Sequence, residues 1–149
     1  MFTLRDYQPS DFSPLLALDK LCFPPGIAYV TQALQMFLKP KDRIVIVAEQ
    51  AGRIAGFVIA QPQRDGVSAH IITLDVDPSM RRSGLGTELM QAVEQHLCAT
   101  GCKTIFLEVA VDNLPAISFY KRLGYSILKT LPRYYLNSLD ALLMARKLS

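Results

Sequence analysis

The chain has 149 residues, half of them hydrophobic and 19% charged, with a formal net charge of +3. That length suits one domain, residues 1–149, able to bury a real core. No apolar run approaches the length of about 18 residues that a membrane-spanning helix needs, and Met1-Phe2-Thr3-Leu4-Arg5-Asp6 lacks the architecture of a secretion signal. Lysines and arginines are scattered rather than clustered, which speaks against nucleic acid as a partner, while the slight positive balance suits a polyanionic ligand. Cys22, Cys98 and Cys102 form no disulfide pattern, and Cys98 and Cys102, four apart at a helix end, have no further Cys or suitable His to complete a metal site. The expectation is a cytoplasmic protein with free thiols, no metal and no membrane partner, either a monomer or a homodimer.

Along the chain, Phe2 to Tyr7 predicts a short strand, and Ser10 or Asp11 caps a helix carrying Leu15, Leu16, Leu18 and Leu21 until Phe23-Pro24-Pro25-Gly26 breaks it. Thr31 to Leu38 predicts a second helix, stopped by Pro40. Arg43 to Glu49 and Arg53 to Gln61 predict a hairpin around Gln50-Ala51-Gly52. His70 to Val76 follows as a strand. Leu85 to Ala99 reads as a helix, with Leu85, Leu89, Val93 and Leu97 at four-residue spacing and Gly101 just past its end. Thr104 to Val111 is a strand, Leu114 to Leu123 a helix with Pro115 in its first turn and Gly124 at its end, and Tyr125 to Lys129 and Ala141 to Lys147 are the closing strands. The order β-α-α-β-β-β-α-β-α-β-β predicts a partly parallel, mixed α/β (α+β) sheet of roughly six or seven strands flanked by about four helices.

The segment Asp75-Val76-Asp77-Pro78-Ser79-Met80-Arg81-Arg82-Ser83-Gly84-Leu85-Gly86-Thr87 carries a strand through a glycine-containing loop into a helix. Such a helix start offers free backbone N–H groups and partial positive charge, and so binds anions. Gly84 and Gly86 leave no Cβ in the way of phosphate oxygens, and Arg81 and Arg82 can screen a pyrophosphate. The loop is neither a P-loop, since no Gly-Lys-Ser/Thr follows, nor a dinucleotide fingerprint, since the third glycine is missing.

Arg81-x-x-Gly84-x-Gly86 after such a strand resembles the acetyl-CoA pyrophosphate loop of the GNAT N-acetyltransferase family. A second stretch, Leu107-Glu108-Val109 through Asn113 to Tyr120 and Gly124-Tyr125, is similar to that family's second signature, and the element order matches its acyl-CoA N-acyltransferase fold over nearly the whole chain. The resemblance implies acetyl transfer from acetyl-CoA to a primary amine by direct attack. It implies a cofactor site made of the loop Arg81, Arg82, Ser83, Gly84, Leu85, Gly86 and Thr87 and of the strand Leu74-Asp75-Val76, which in the family splays from its neighbour. Pantetheine amides pair with the backbone so exposed, and one N–H near Leu74 faces the thioester oxygen. Asn113 and Tyr120 complete the cofactor site, with Tyr120 as the acid that protonates the leaving thiolate.

Two residues are candidates for the base. Glu108 lies within an apolar strand, where a carboxylate needs a reason, and alternation puts it on the face of Phe106 and Ala110, opposite Leu107 and Val109; burial would fit it to accept a proton near neutral pH. The other is His70, leading the neighbouring strand and sharing a face with Ile72, Leu74 and Val76.

Leu107-Glu108-Val109, Phe23-Pro24 and Arg133-Tyr134-Tyr135 together resemble the branch that acetylates protein N-termini, including the ribosomal-protein alanine acetyltransferases. That resemblance implies Glu108 as base and Tyr120 as acid, with Phe23, Pro24, Tyr134 and Tyr135 around the first residues of a peptide; His70, from its place on the neighbouring strand, is a further substrate-site candidate. An α-amine has a pKa of about 7.7–8.0 against about 10.4 for lysine, so a carboxylate acting through water suffices. The alternatives are a small amine acceptor (an amino acid, polyamine or aminoglycoside) and a non-catalytic acyl-CoA-binding protein.

Overall fold

A computed structural model describes residues 2–29, 31–39 and 43–148. Seven strands, β1 (Thr3–Asp6), β2 (Ile44–Gln50), β3 (Arg53–Pro62), β4 (Ser68–Val76), β5 (Thr104–Ala110), β6 (Ser126–Leu131) and β7 (Ala141–Lys147), form one sheet in the order β1-β2-β3-β4-β5-β7-β6. Helices α3 (Leu85–Ala99) and α4 (Leu114–Arg122) cover one face, and α1 (Phe12–Cys22) and α2 (Thr31–Leu38) the other. Because both faces are covered, β3 is apolar and buried from Ala55 to Ala60, with Val58 and Ala60 toward α3 and Phe57 and Ile59 toward α1 and α2.

The element order matches the sequence expectation, and α3 and β7 have the expected bounds. Pro40, expected to stop α2, lies outside the described residues. Asp11 sits at the start of α1 but does not cap it. Its conformation is already helical, and its buried carboxylate accepts from Arg5 Nη1 (2.8 Å), Arg5 Nη2 (2.9 Å) and Gln8 N (2.8 Å) instead. The crossover β4–α3–β5 gives a parallel pair, as expected. β6 does not continue it, because β7 inserts antiparallel between β5 and β6.

Two irregularities shape the middle of the sheet. The β3–β4 register slips between Ile59 and Ala60, so Ile72 is an extra residue on β4. That bulge turns Ile72 toward the α1/α2 side and carries Leu74 and Val76 to the α3/α4 side. His70 therefore does not share one face with Ile72, Leu74 and Val76, as simple alternation predicts. The second irregularity is that β4 and β5 are paired over three rungs only, ending at His70–Phe106. Beyond that rung the strands part and leave an open seam.

On the far face, Glu94 of α3 accepts from the Tyr125 hydroxyl (2.8 Å) and from Arg146 Nη1 of β7 (2.7 Å). Tyr125 in turn stacks edge-on against Tyr120, with ring centroids 5.8 Å apart, so this buried carboxylate sets where the end of α4 lies. Glu94→Ala is expected to lower stability by about 1–3 kcal/mol, chiefly by orphaning the buried Tyr125 hydroxyl, as read by urea denaturation. A change within error would show that this network does not hold α4.

Candidate active site

The seam between β4 and β5 is the centre of the site. Asp77 N donates to Ala55 O, which fixes the alternation along this end of β4. The Asp77 N–H and the backbone groups of Asp75 turn to β3, while Val76 and Leu74 turn theirs to the open seam. Val76 O is taken by Cys22 Sγ (3.2 Å) and Arg81 Nε (3.3 Å), and Ile72 O by the Tyr29 hydroxyl (3.0 Å). The groups of Leu74 remain open to a ligand. Asp75 differs from both neighbours: its backbone faces β3 and its side chain is fully buried, so of the three rail residues it offers a cofactor least.

The anion loop sits at the end of β4. Arg82 (φ +66°) and Gly84 (φ +87°) are both left-handed, which curls the chain into a backbone concavity at the start of α3. A Cβ added at Gly84 would meet nothing within 4 Å, so the space in front of it is open. Glu88 N is bonded to Gly84 O, and the N–H groups ahead of it form the open helix end. The other loop residues have separate tasks. Leu85 is buried in the core and can offer only its N–H. The Ser83 hydroxyl donates to Met80 O, and Arg81 and Arg82 are exposed. Thr87, half-buried, lies in the first turn. Gly86 is packed against α4, where a Cβ would come within 3.1 Å of Phe119 Cζ. Asn113 caps α4, its Oδ1 accepting from Ala116 N (3.3 Å).

On the α1/α2 face, at the apex of the seam, His70 Nε2 and Glu108 Oε1 are 2.5 Å apart, with side-chain exposures of 29% and 15%. The two candidate bases are thus one pair. Glu108 shares its face with Phe106, as the alternation predicts, and both line a hollow of about 450 Å³ with His70, Ser68 and Leu143. The Tyr134 hydroxyl lies beside Glu108, and burial together with that carboxylate's charge pushes the Tyr134 phenol up to about 12. Tyr135 stacks edge-on against Tyr134 at 5.0 Å, and burial raises its phenol too.

Tyr120 lies on the other side of the seam, in the core cluster under α3 and α4. Its hydroxyl makes no hydrogen bond with the described residues, and burial, aided by the charge of Asp75, raises its pKa well above that of an ordinary phenol. Phe23 and Pro24 follow α1. Phe23 N donates to Asp19 O, and Pro24 O accepts from Ile27 N and Ala28 N in a tight turn. This turn meets the Tyr134–Tyr135 loop through Leu136 N, which donates to Gly26 O (3.1 Å); a Cβ at Gly26 would lie 2.8 Å from that of Asn137. The sequence-predicted residues of the acid, the base and the acceptor loops therefore converge on one seam. Sequence reasoning missed Tyr29, whose ring packs on Phe37 (5.0 Å) while its hydroxyl fastens the bulge. It also missed Asp19, although the spacing Leu15–Asp19 puts a carboxylate on the buried face of α1.

Residues 10–125 match the model of the Acetyltransferase (GNAT) family. The chain belongs to that family. It is 32% identical to an uncharacterized N-acetyltransferase of Methanocaldococcus jannaschii, covering 97% of this chain and 90% of that one. It is 29% identical to an N-alpha-acetyltransferase of Sulfurisphaera tokodaii, covering 99% and 93%. Among solved structures, a ribosomal-protein alanine N-acetyltransferase of Escherichia coli superposes with a TM-score of 0.88 at 25% identity, covering 100% of this chain and 95% of that one. The chain is thus an acetyltransferase with acetyl-CoA as its donor, and the open loop at Gly84 and the unpaired edge at Leu74 fit a pyrophosphate and a pantetheine arm. Among the described residues no helix is long and apolar enough to cross a membrane, and no group of three or more His, Cys, Asp or Glu is placed to hold a metal.

Gly84→Val is expected to weaken CoA binding at least tenfold in a protein that still folds, since the β-branched side chain projects into the open space and resists the left-handed backbone. Titration calorimetry beside circular dichroism measures this; an unchanged Kd would remove the loop from the cofactor site.

Proposed function

We propose that this chain acetylates the N-terminal α-amine of a protein or peptide in the cytoplasm. The observation that carries the reading is the His70–Glu108 pair at the seam's apex, with Tyr134 beside it on the acceptor side and Tyr120 across the seam. A proton acceptor and a proton donor then flank one opening, which is what amine attack on a thioester requires.

Acetyl-CoA supplies, when bound, a thioester carbonyl that a neutral amine can attack. Arg81 to Thr87 hold its phosphates through backbone N–H groups, with Arg81 and Arg82 adding charge. The open backbone groups of Leu74 and the Val76 N–H would align the pantetheine, the Leu74 N–H would polarise the thioester carbonyl, and Asn113 keeps the start of α4 in place. Glu108, held by His70, takes a proton from the incoming ammonium, directly or through one water. Tyr120, kept protonated by its burial, gives its proton to the departing sulfur. Phe23, Pro24, Tyr134 and Tyr135 bracket the first residues of the peptide, their flat apolar surfaces taking side chains and their hydroxyls the backbone.

The names of the Sulfurisphaera tokodaii and Escherichia coli proteins support the α-amine as acceptor. A polyamine or aminoglycoside acceptor would call for a cluster of spare carboxylates; near the acceptor loops Asp140 accepts from Arg133 N and Asp65 from Ser68, which leaves Asp112 beside Tyr135.

Tyr120→Phe is expected to lower kcat by about 10²–10⁴ with little change in CoA affinity. The alkaline limb of kcat in the native enzyme should fall above pH 10, the ordinary phenol value, because the folded environment raises Tyr120. A loss confined to KM would make Tyr120 a binding residue. Glu108→Gln should abolish the acidic limb of the kcat/KM profile, and its persistence would exclude Glu108 as base. A peptide with a free α-amine should react, and one with a blocked α-amine and a free lysine should not. Reaction on lysine, or with small amines alone, would overturn the acceptor while leaving the acetyltransferase in place.

A further inference from the structure

Asp19 of α1 and Asp75 of β4 are both fully buried, and the catalytic scheme uses neither. Their carboxyl groups are neighbours in the interior, close enough for Asp19 to raise the pKa of Asp75. Each has one oxygen with an ordinary donor: Asp19 Oδ2 accepts from Tyr29 N (2.6 Å) and Asp75 Oδ1 from the Thr73 hydroxyl (2.5 Å). The remaining oxygens, Asp19 Oδ1 and Asp75 Oδ2, have no donor among the described residues. Two ionised carboxylates are acceptors only and cannot bond one another, whereas a carboxylic acid and a carboxylate can. Asp19 also anchors the turn behind it, through Tyr29 N and through its own carbonyl to Phe23 N. Asp75 lies between Leu74 and Val76, the two residues that face the seam.

We propose that Asp19 and Asp75 share one proton, and that this bond is a clasp fastening the Phe23–Tyr29 turn to β4. Calling that turn the acceptor loop rests on the function proposed above; the clasp itself does not. The surroundings favour a single charge on the pair. Facing it are the Cys22 thiol at the end of α1, the Tyr29 hydroxyl from the turn, the Thr73 hydroxyl from β4, the Arg81 guanidinium beyond β4 and the Tyr120 hydroxyl from α4. Arg81 is the one cation among them, and it is exposed. Burial pushes the Cys22 thiol up to about 12, and burial raises both phenols, so these three groups are neutral and can lend only dipoles. Burial and the neighbouring Asp19 together raise the pKa of Asp75 well above that of an ordinary carboxyl.

The sign of the linkage follows. The unfolded chain releases this proton near pH 4, the ordinary aspartate value, while the folded chain keeps it. The clasp's contribution is therefore complete below that pH and is lost as pH rises toward the folded midpoint. Asp75→Asn tests this, because an amide donates to Asp19 without a titrating proton. Wild type and variant are unfolded by urea from pH 4 upward. The ratio of their unfolding constants, wild type over variant, should rise about tenfold per pH unit until the clasp proton is lost, and then level off. The native protein should show the infrared band of a protonated carboxyl group at neutral pH, and Asp75→Asn should lack it. Above the midpoint, exchange of the Tyr29 amide should quicken in wild type relative to the variant. Should Asp75→Asn fail to fold, Asp19→Asn makes the same comparison with the amide on the other side. Parallel pH–stability curves, or no protonated carboxyl at neutral pH, would overturn the clasp. None of these readouts depends on turnover, so a mistaken acceptor assignment leaves them unmoved.

Discussion

Parallel strands in a covered sheet stay paired because each N–H or C=O left without a partner in the interior costs about 1–3 kcal/mol. β4 and β5 nevertheless part after His70–Phe106, and the rest of the site depends on how that parting is tolerated. The extra residue at Ile72 bends β4 away. The carbonyls this releases are then satisfied by side chains: Tyr29 at Ile72 and Cys22 at Val76 from the α1/α2 layer, with Arg81 from the loop after β4 also at Val76. What stays open, at Leu74, is an edge bounded on both sides, too short to recruit another protein's strand but long enough for a pantetheine amide.

The same bend places the chemistry. With Leu74 and Val76 turned to the α3/α4 side, the α1/α2 side is left to the residues around the apex, where His70 and Glu108 meet. Tyr120 is brought up from beneath by a helix whose end is fixed through Tyr125, Glu94 and Arg146. Tyr120 and Glu108 thus belong to different layers and face each other only across the seam, so each has its own surroundings: burial for the phenol, and partial exposure for the carboxylate.

How far the sequence could be read follows from which interactions are local. Leu85, Leu89, Val93 and Leu97 repeat at one helical spacing and Gly101 follows, so the bounds of α3 were legible. Nothing local says that β7 lies between β5 and β6, or that β4 gains a residue at Ile72. The alternation drawn for His70 through Val76 fails at that residue for this reason. Asp11 reads as a cap by type, but Arg5 on β1 competes for it with two charged hydrogen bonds. Glu108 and Tyr120 were visible because they sit at marked places in a strand and a helix. Their partners were not, since His70 and Glu108 are 38 residues apart in sequence and 2.5 Å apart in space.

The short ladder between β4 and β5 also divides the sheet mechanically. Four strands, β1 to β4, form one antiparallel blade, and β5, β7 and β6 form another, joined by three rungs at one end. Past His70 and Phe106 no bond between β4 and β5 has to break for the blades to move apart by a fraction of an ångström. The free energy of admitting a bulkier acyl group therefore falls on the side chains lining the seam and on the loop contact at Gly26. The width of the cleft is a soft coordinate of this molecule, while the positions of Glu108 on β5 and Tyr120 on α4 are stiff ones.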